Sequence, residues 1–198
     1  ARSGRRLLTV GTDCSCGKMF TALAVERELR ARSRKATFRA TGQTGILIAG
    51  TGVSVDAVVA DFISGATEQL APANDEDHWD LIEGQGSLFH ASYAGVSLGL
   101  LHGAQANALI MCHEPTRTHM RGLPQQALPS LQECIDLNQR CGQLTNPGCR
   151  VVGISLNTSQ LADADVEQTC LAIEKETGLP TVDAYRHGAG RLVDALPA

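Results

Sequence analysis

A chain of 198 residues with 43% apolar content can bury one full core and, on length alone, hardly two, so a single domain over residues 1–198 is expected. A formal charge of −4 with scattered basic residues leaves no footprint for nucleic acid or an anionic membrane; no apolar run is long enough to span a bilayer, and no signal peptide precedes the first strand. Seven cysteines, an odd number without zinc-site spacing, fit reduced thiols in a cytoplasmic protein that holds no metal.

From the N-terminus, an apolar run at residues 7–10 breaks into Gly11-Thr12-Asp13-Cys14-Ser15-Cys16-Gly17-Lys18, and a good helix former follows over residues 19–32. Strand, glycine-bounded loop and helix in that order make a phosphate site: backbone N–H groups and the helix N-terminus offer partial positive charge, and Lys18 adds a full one. Gly11, Thr12, Asp13, Cys14, Ser15, Cys16, Gly17, Lys18 and Met19 are the candidate cofactor-binding residues. The common phosphate loop has four residues between its glycines and Ser or Thr after the lysine to hold magnesium; here there are five, and Met19 follows Lys18. A thioether does not ligate a hard cation, so diphosphate binding is favoured over magnesium-dependent hydrolysis. The longer spacing, opened by Gly-Thr-Asp, resembles dethiobiotin synthetase and its relatives among the phosphate-loop enzymes. Cys14 and Cys16 are either a thiol activated by the helix end and Lys18 or, more simply, small side chains that let the backbone reach a phosphate.

The basic cluster at residues 30–35 reads as a solvated helix end, and residues 35–40 as a second strand. This strand runs into a loop of small and polar residues, Thr41-Gly42-Gln43-Thr44-Gly45, at the strand end where open parallel sheets place ligands. Thr41 and Gln43 are therefore substrate-binding candidates. A helix over residues 54–70 is expected, with Val55, Val58, Val59, Phe62 and Ile63 on one face. Trp79-Asp80-Leu81-Ile82 is the third strand and ends in Glu83-Gly84-Gln85-Gly86-Ser87. An acid at the tip of a buried strand can bind a metal, bind its water or act as a base, or simply cap a loop.

A small-residue helix over residues 97–103 leads to a fourth strand at residues 106–112, which opens onto His113-Glu114-Pro115-Thr116-Arg117-Thr118-His119-Met120-Arg121-Gly122. Two histidines, a glutamate and two arginines within nine residues are too dense for core. At this edge they read as substrate contacts: Arg117 and Arg121 for carboxylate, and His113, Glu114 or His119 for moving a proton. A solvated loop is the alternative for any one of them. Residues 123–129 form a proline-bounded connection, residues 131–140 a helix, and residues 151–157 a fifth strand with Asn157 at its tip, which touches a base or steadies its own loop. A helix over residues 164–177, ended by Gly178, a short strand at residues 179–183 and a terminal helix through Leu196 complete the pattern. Strands alternating with helices predict a three-layer, doubly wound, mostly parallel α/β fold of the phosphate-loop NTPase kind.

Four strings, Gly-Thr-Asp-Cys-Ser-Cys-Gly-Lys-Met, Ala-Thr-Gly-Gln-Thr-Gly-Ile, Ile-Glu-Gly-Gln-Gly-Ser-Leu and Cys-His-Glu-Pro-Thr-Arg, occur in order along the chain. With them the sequence resembles, from Arg6 to about Leu196, the C-terminal domain of the D-glutamate N-acetyltransferase family, long described as a domain of unknown function. That family is two-domain, and the resemblance implies that a Rossmann-like N-terminal part is missing here. A first residue that is Ala1 rather than methionine fits an excised portion. The resemblance also implies acetyl transfer from acetyl-CoA to the amine of D-glutamate, in D-amino-acid catabolism. The phosphate loop would then hold the coenzyme, Glu83, His113 or Glu114 would take the ammonium proton, and Arg117, His119 and Arg121 would serve the small-molecule substrate. A homo-oligomer is expected. The alternatives are an ATP- and magnesium-dependent ligase or kinase like dethiobiotin synthetase, and a non-catalytic nucleotide module switched by the loop around Gln43.

Overall fold

A computed structural model describes residues 2–197. Its chain order is β1 (Arg5–Gly11), α1 (Lys18–Ala31), β2 (Ala36–Arg39), α2 (Gln43–Ala49), α3 (Ile63–Leu70), β3 (Trp79–Ile82), α4 (Ala94–Ala104), β4 (Ala108–His113), β5 (His119–Met120), β6 (Leu123–Ala127), α5 (Leu131–Gln143), β7 (Arg150–Leu156), α6 (Asp163–Thr177), β8 (Thr181–Val182) and α7 (Gly190–Asp194). Six strands form one parallel sheet in the order β2-β3-β1-β4-β7-β8, and β5 and β6 form a separate antiparallel hairpin.

The near-continuous apolar character of the strands follows from burial on both faces. Leu7 packs with Val25 and Leu29 of α1 and Leu192 and Val193 of α7, whereas its neighbour Leu8 packs with Leu100 and Leu101 of α4 and Ile135 of α5. Successive residues of β1 thus feed two different cores, as the two-residue period of a strand requires. The result is the three-layer, doubly wound α/β arrangement that the alternation of elements predicts. Because all six strands run the same way, the loops after β1, β2, β3 and β7 emerge at one edge. No helix among the described residues is long and apolar enough to cross a membrane.

Three local expectations are corrected. The loop at Gln43 is the first turn of α2. The helix expected over residues 54–70 is two short 3-10 turns, Val55–Ala57 and Ala60–Phe62, and becomes α-helical only at Ile63. The Val53 and Val55 N–H groups donate to the carbonyls of Ala40 and Thr41, which ties this stretch to the end of β2 instead of to its own next turn, and leaves Val59 and Phe62 exposed. The connection at residues 123–129 contains β6, half of the hairpin.

Candidate functional site

The loop after β1 is shaped by residues that cannot be large. Gly17 sits at φ +103° as the N-cap of α1, a left-handed conformation that suits glycine. A Cβ on Gly11 would come within 2.6 Å of the Cys16 Sγ and 2.9 Å of the Lys18 Nζ. No side chain caps α1, and Gly17, Lys18, Met19 and Phe20 at its start line the cavity outside. Lys18 is buried and its ammonium donates to the Asp13 carbonyl at 2.7 Å, folded over the loop it serves. Met19 packs beside Ala22, Phe38 and Ala40 and also borders the cavity in front of the loop.

Two residues read as ligand contacts instead hold the loop from behind. Asp13 is fully buried, and its carboxylate accepts from the Arg117 guanidinium at 2.7 Å, the Arg121 N–H at 2.8 Å and the Cys14 N–H at 2.7 Å. Burial would raise this carboxyl, but the Arg117 hydrogen bond and the two backbone N–H groups outweigh it and hold it below the usual carboxylate range. Arg117 also donates to the Cys14 carbonyl and to Glu114. Thr12 shares a hydrogen bond with His113 Nδ1 at 3.0 Å. Burial pushes the His113 imidazole below its usual value, with Arg117 acting the same way and Glu114 opposing.

A cavity of about 390 Å³ lies in front of the loop, lined by Cys14, Ser15, Gly17, Lys18, Met19, Phe20, Glu83, Gly84, Gln85, Gly86 and Asn157. Glu83, 4% exposed, is the acid that reaches it. Its Oε2 accepts the N–H groups of Thr41 and Gly42 at 2.9 and 3.0 Å, while its Oε1 accepts no hydrogen bond among the described residues. The glycines around it make room: a Cβ on Gly45 would lie 2.2 Å from Oε2, and one on Gly84 would lie 1.6 Å from the Thr9 carbonyl. Thr41 is buried and serves Glu83, donating its hydroxyl to the Glu83 carbonyl at 2.6 Å. Gln43, His119 and Arg121 are exposed, and none of them, nor His113, Glu114 or Arg117, lines this cavity.

Asp13, Cys14 and His90 bring a ligand atom each to within 4.8 Å of one another. The Asp13 oxygens are taken, as above, and His90 is bonded to the Arg121 carbonyl and the Ser92 N–H, so no free donor set remains there. Cys14 is not the activated thiol: burial and the neighbouring Asp13 carboxylate raise it, and outweigh Lys18. Gln85, Gly86 and Phe20 belong to the cavity without having been singled out. The Glu-Gly-Gln-Gly-Ser string signals the first two, whereas Phe20 has only its place one turn into α1.

A strand, a phosphate-cradling loop with its lysine, and an acid at the tip of the adjacent strand define a P-loop α/β protein. The domain of unknown function DUF1611_C, described as a P-loop domain, matches residues 1–193, and the chain belongs to this family. A D-glutamate N-acetyltransferase of Tritonibacter scottomollicae is 61% identical over 197 residues, and one of Pseudoalteromonas sp is 53% identical over 195. The matches cover 100% and 98% of this chain but 59% of each relative, so the chain spans about three-fifths of their length. A DUF1611 family protein from Anabaena variabilis superposes with a TM-score of 0.92 at 38% identity, over 98% of this chain and 57% of that one. A cobyrinic acid a,c-diamide synthase from Mycobacterium smegmatis, solved with ADP and magnesium, superposes with a TM-score of 0.51 at 18% identity, over 89% and 83% of the two chains, a likeness of fold alone.

Proposed function

We propose that this chain is the coenzyme-binding part of a cytoplasmic N-acetyltransferase that moves acetyl from acetyl-CoA to the amine of D-glutamate, in D-amino-acid catabolism. The observation that carries this reading is the shared cavity: Cys14, Ser15, Gly17, Lys18 and Met19, at the loop and the uncapped end of α1, line the same space as Glu83, whose Oε1 accepts no hydrogen bond among the described residues. The names of the two relatives supply the acceptor and the acyl group.

The loop suits a diphosphate. Lys18 leaves the Asp13 carbonyl for a phosphate oxygen, and the α1 amides bind the same group. Met19 offers no oxygen for magnesium, and a coenzyme diphosphate held by amides and a lysine needs none. Acetyl-CoA supplies the activated acyl group: a C–N bond forms as the C–S bond breaks and the thiolate leaves. Glu83 Oε1 takes the proton that the acceptor ammonium must lose before it can attack, while the Thr41 and Gly42 amides on Oε2 keep the carboxylate aimed. The Arg121 side chain, exposed at the hairpin outside the cavity lining and without an ion pair among the described residues, is offered to a substrate carboxylate from there, whereas Arg117 is already held by Asp13 and Glu114.

Calorimetric titration with acetyl-CoA should show binding that magnesium does not alter, and the full-length protein should acetylate D-glutamate in preference to L-glutamate. Glu83→Gln should lower kcat by about 10²- to 10⁴-fold with little change in coenzyme affinity. Binding restricted to magnesium-ATP, or a Glu83→Gln protein with full turnover, would refute the reading.

A further inference from the structure

A second cleft, of about 470 Å³, opens beside the first and shares Gly17, Phe20 and Asn157 with it. Its walls come from the start of α1, the end of β7 and the turn after β8. Phe20 is 42% exposed and Tyr185 81% exposed, and their rings meet at 5.6 Å between centroids with a 54° tilt. Two solvent-facing aromatic rings beside a phosphate loop offer apolar faces for one flat heterocycle, and such stacking contributes about 1–3 kcal/mol per base. Asn157 accepts the Ser159 N–H on its Oδ1 at 3.2 Å, and its carboxamide N–H₂, in a residue that lines the cleft, makes no hydrogen bond among the described residues.

Arg186 is the one cation among the residues lining this cleft. Its Nη1 donates to Asp163 at 2.6 Å, and its Nε lies 3.7 Å from Asp183. The Asp163 side chain is 87% exposed, and such surface pairs are worth about 0–1 kcal/mol. A phosphate dianion, with more charge and more acceptor oxygens, displaces a solvated carboxylate from a guanidinium readily.

We propose that this cleft binds a 3′-phosphorylated adenosine, with the ring against Phe20 and Tyr185 and the 3′-phosphate on Arg186 in place of Asp163. The inference rests on the reading that the neighbouring loop holds the diphosphate of a coenzyme A thioester. It adds the residue that separates this coenzyme from adenosine nucleotides without a 3′-phosphate, which give Arg186 no anion to meet.

Titration calorimetry with coenzyme A and with 3′-dephospho-coenzyme A tests it on the unmodified protein and on Arg186→Ala, Asp163→Asn and Tyr185→Ala. The unmodified protein should bind coenzyme A about tenfold more tightly than the dephospho form. That ratio should fall to near one in Arg186→Ala and rise in Asp163→Asn, where the guanidinium loses the more solvated of its two carboxylate partners and keeps Asp183. Tyr185→Ala should weaken both ligands equally. All three positions are at the surface, and unchanged circular dichroism and Tm would show that the fold persists. If both coenzymes bind but Arg186→Ala keeps the ratio, or if no ratio exists in the unmodified protein, the assignment of Arg186 is wrong while the coenzyme reading stands. If ATP binds and neither coenzyme does, both fall.

Discussion

Replacing Asp13 by Asn tests how the phosphate loop keeps its shape. The carboxylate accepts three hydrogen bonds of 2.7, 2.7 and 2.8 Å with no exposure to solvent. An amide of the same size must turn one N–H₂ toward a donor, so at least one bond becomes a donor–donor contact. Removing one partner of a buried ion pair costs about 3–5 kcal/mol. Arg117 is 18% exposed and keeps Glu114 at 3.1 Å, which places the loss near the lower end, at about 3 kcal/mol. With a urea m-value of about 3 kcal/mol/M, the midpoint should fall by about 1 M, while Glu167→Gln, at an exposed position, should change stability by less than about 0.5 kcal/mol. Because the folded carboxyl lies below its usual range, its contribution is present above the unfolded pKa and is lost as pH falls through the folded one. The gap between the two proteins should therefore narrow below about pH 4. Arg117→Ala and the double variant complete a cycle whose coupling should be about 1–3 kcal/mol. A midpoint shift under about 0.3 M, or additive losses, would refute the idea that this carboxylate clamps the loop.

Gly84→Ala places a methyl 1.6 Å from the Thr9 carbonyl, and since backbone cannot step aside it should destabilise by about 3 kcal/mol or more, read as a lost or much lower urea midpoint; an unchanged midpoint would mean β1 and β3 are not packed as described. His113 is held below its usual pKa by burial, so between its folded value and about pH 6.5 the unfolded chain binds more protons and stability falls as pH is lowered. His113→Asn should flatten that acid slope in urea midpoints taken from about pH 5 to pH 7.5, and an unaltered slope would remove the imidazole from the account. Burial pushes the Cys112 and Cys134 thiols up to about 12 and Cys149 to about 11, so mass spectrometry after iodoacetamide at pH 8 should find these three alkylated only in denaturant; rapid native labelling of Cys112 would contradict its packing.

The strand-loop-helix at Gly11 to Lys18 and the acid at the tip of β3 were legible because each rests on local chemistry: glycine where φ is positive, apolar runs where both faces are buried. Arg117 shows the limit of that reading. A dense polar stretch after a buried strand suggests ligand contacts, and nothing nearby in sequence says that the guanidinium is taken by a carboxylate 104 residues earlier. The stretch at residues 54–62 misled for a similar reason. Its apolar spacing is helical, but hydrogen bonds to Ala40 and Thr41 override local preference. The β5–β6 hairpin gave little signal, with Pro124, Gln125 and Gln126 in a short, mostly exposed strand. The aromatic pair of Phe20 and Tyr185 joins two ends of the chain that no spacing rule connects.

The hairpin tip near Gly122 looks like an inviting place for a fluorescent label or an inserted tag, since it is exposed and short. The amide of Arg121 one residue earlier nevertheless holds the Asp13 carboxylate, and Gln126 beyond it grips the Phe89 carbonyl. A graft there would tug on the loop after β1 from its rear, so a probe meant to be silent would disturb the very loop it was installed to watch.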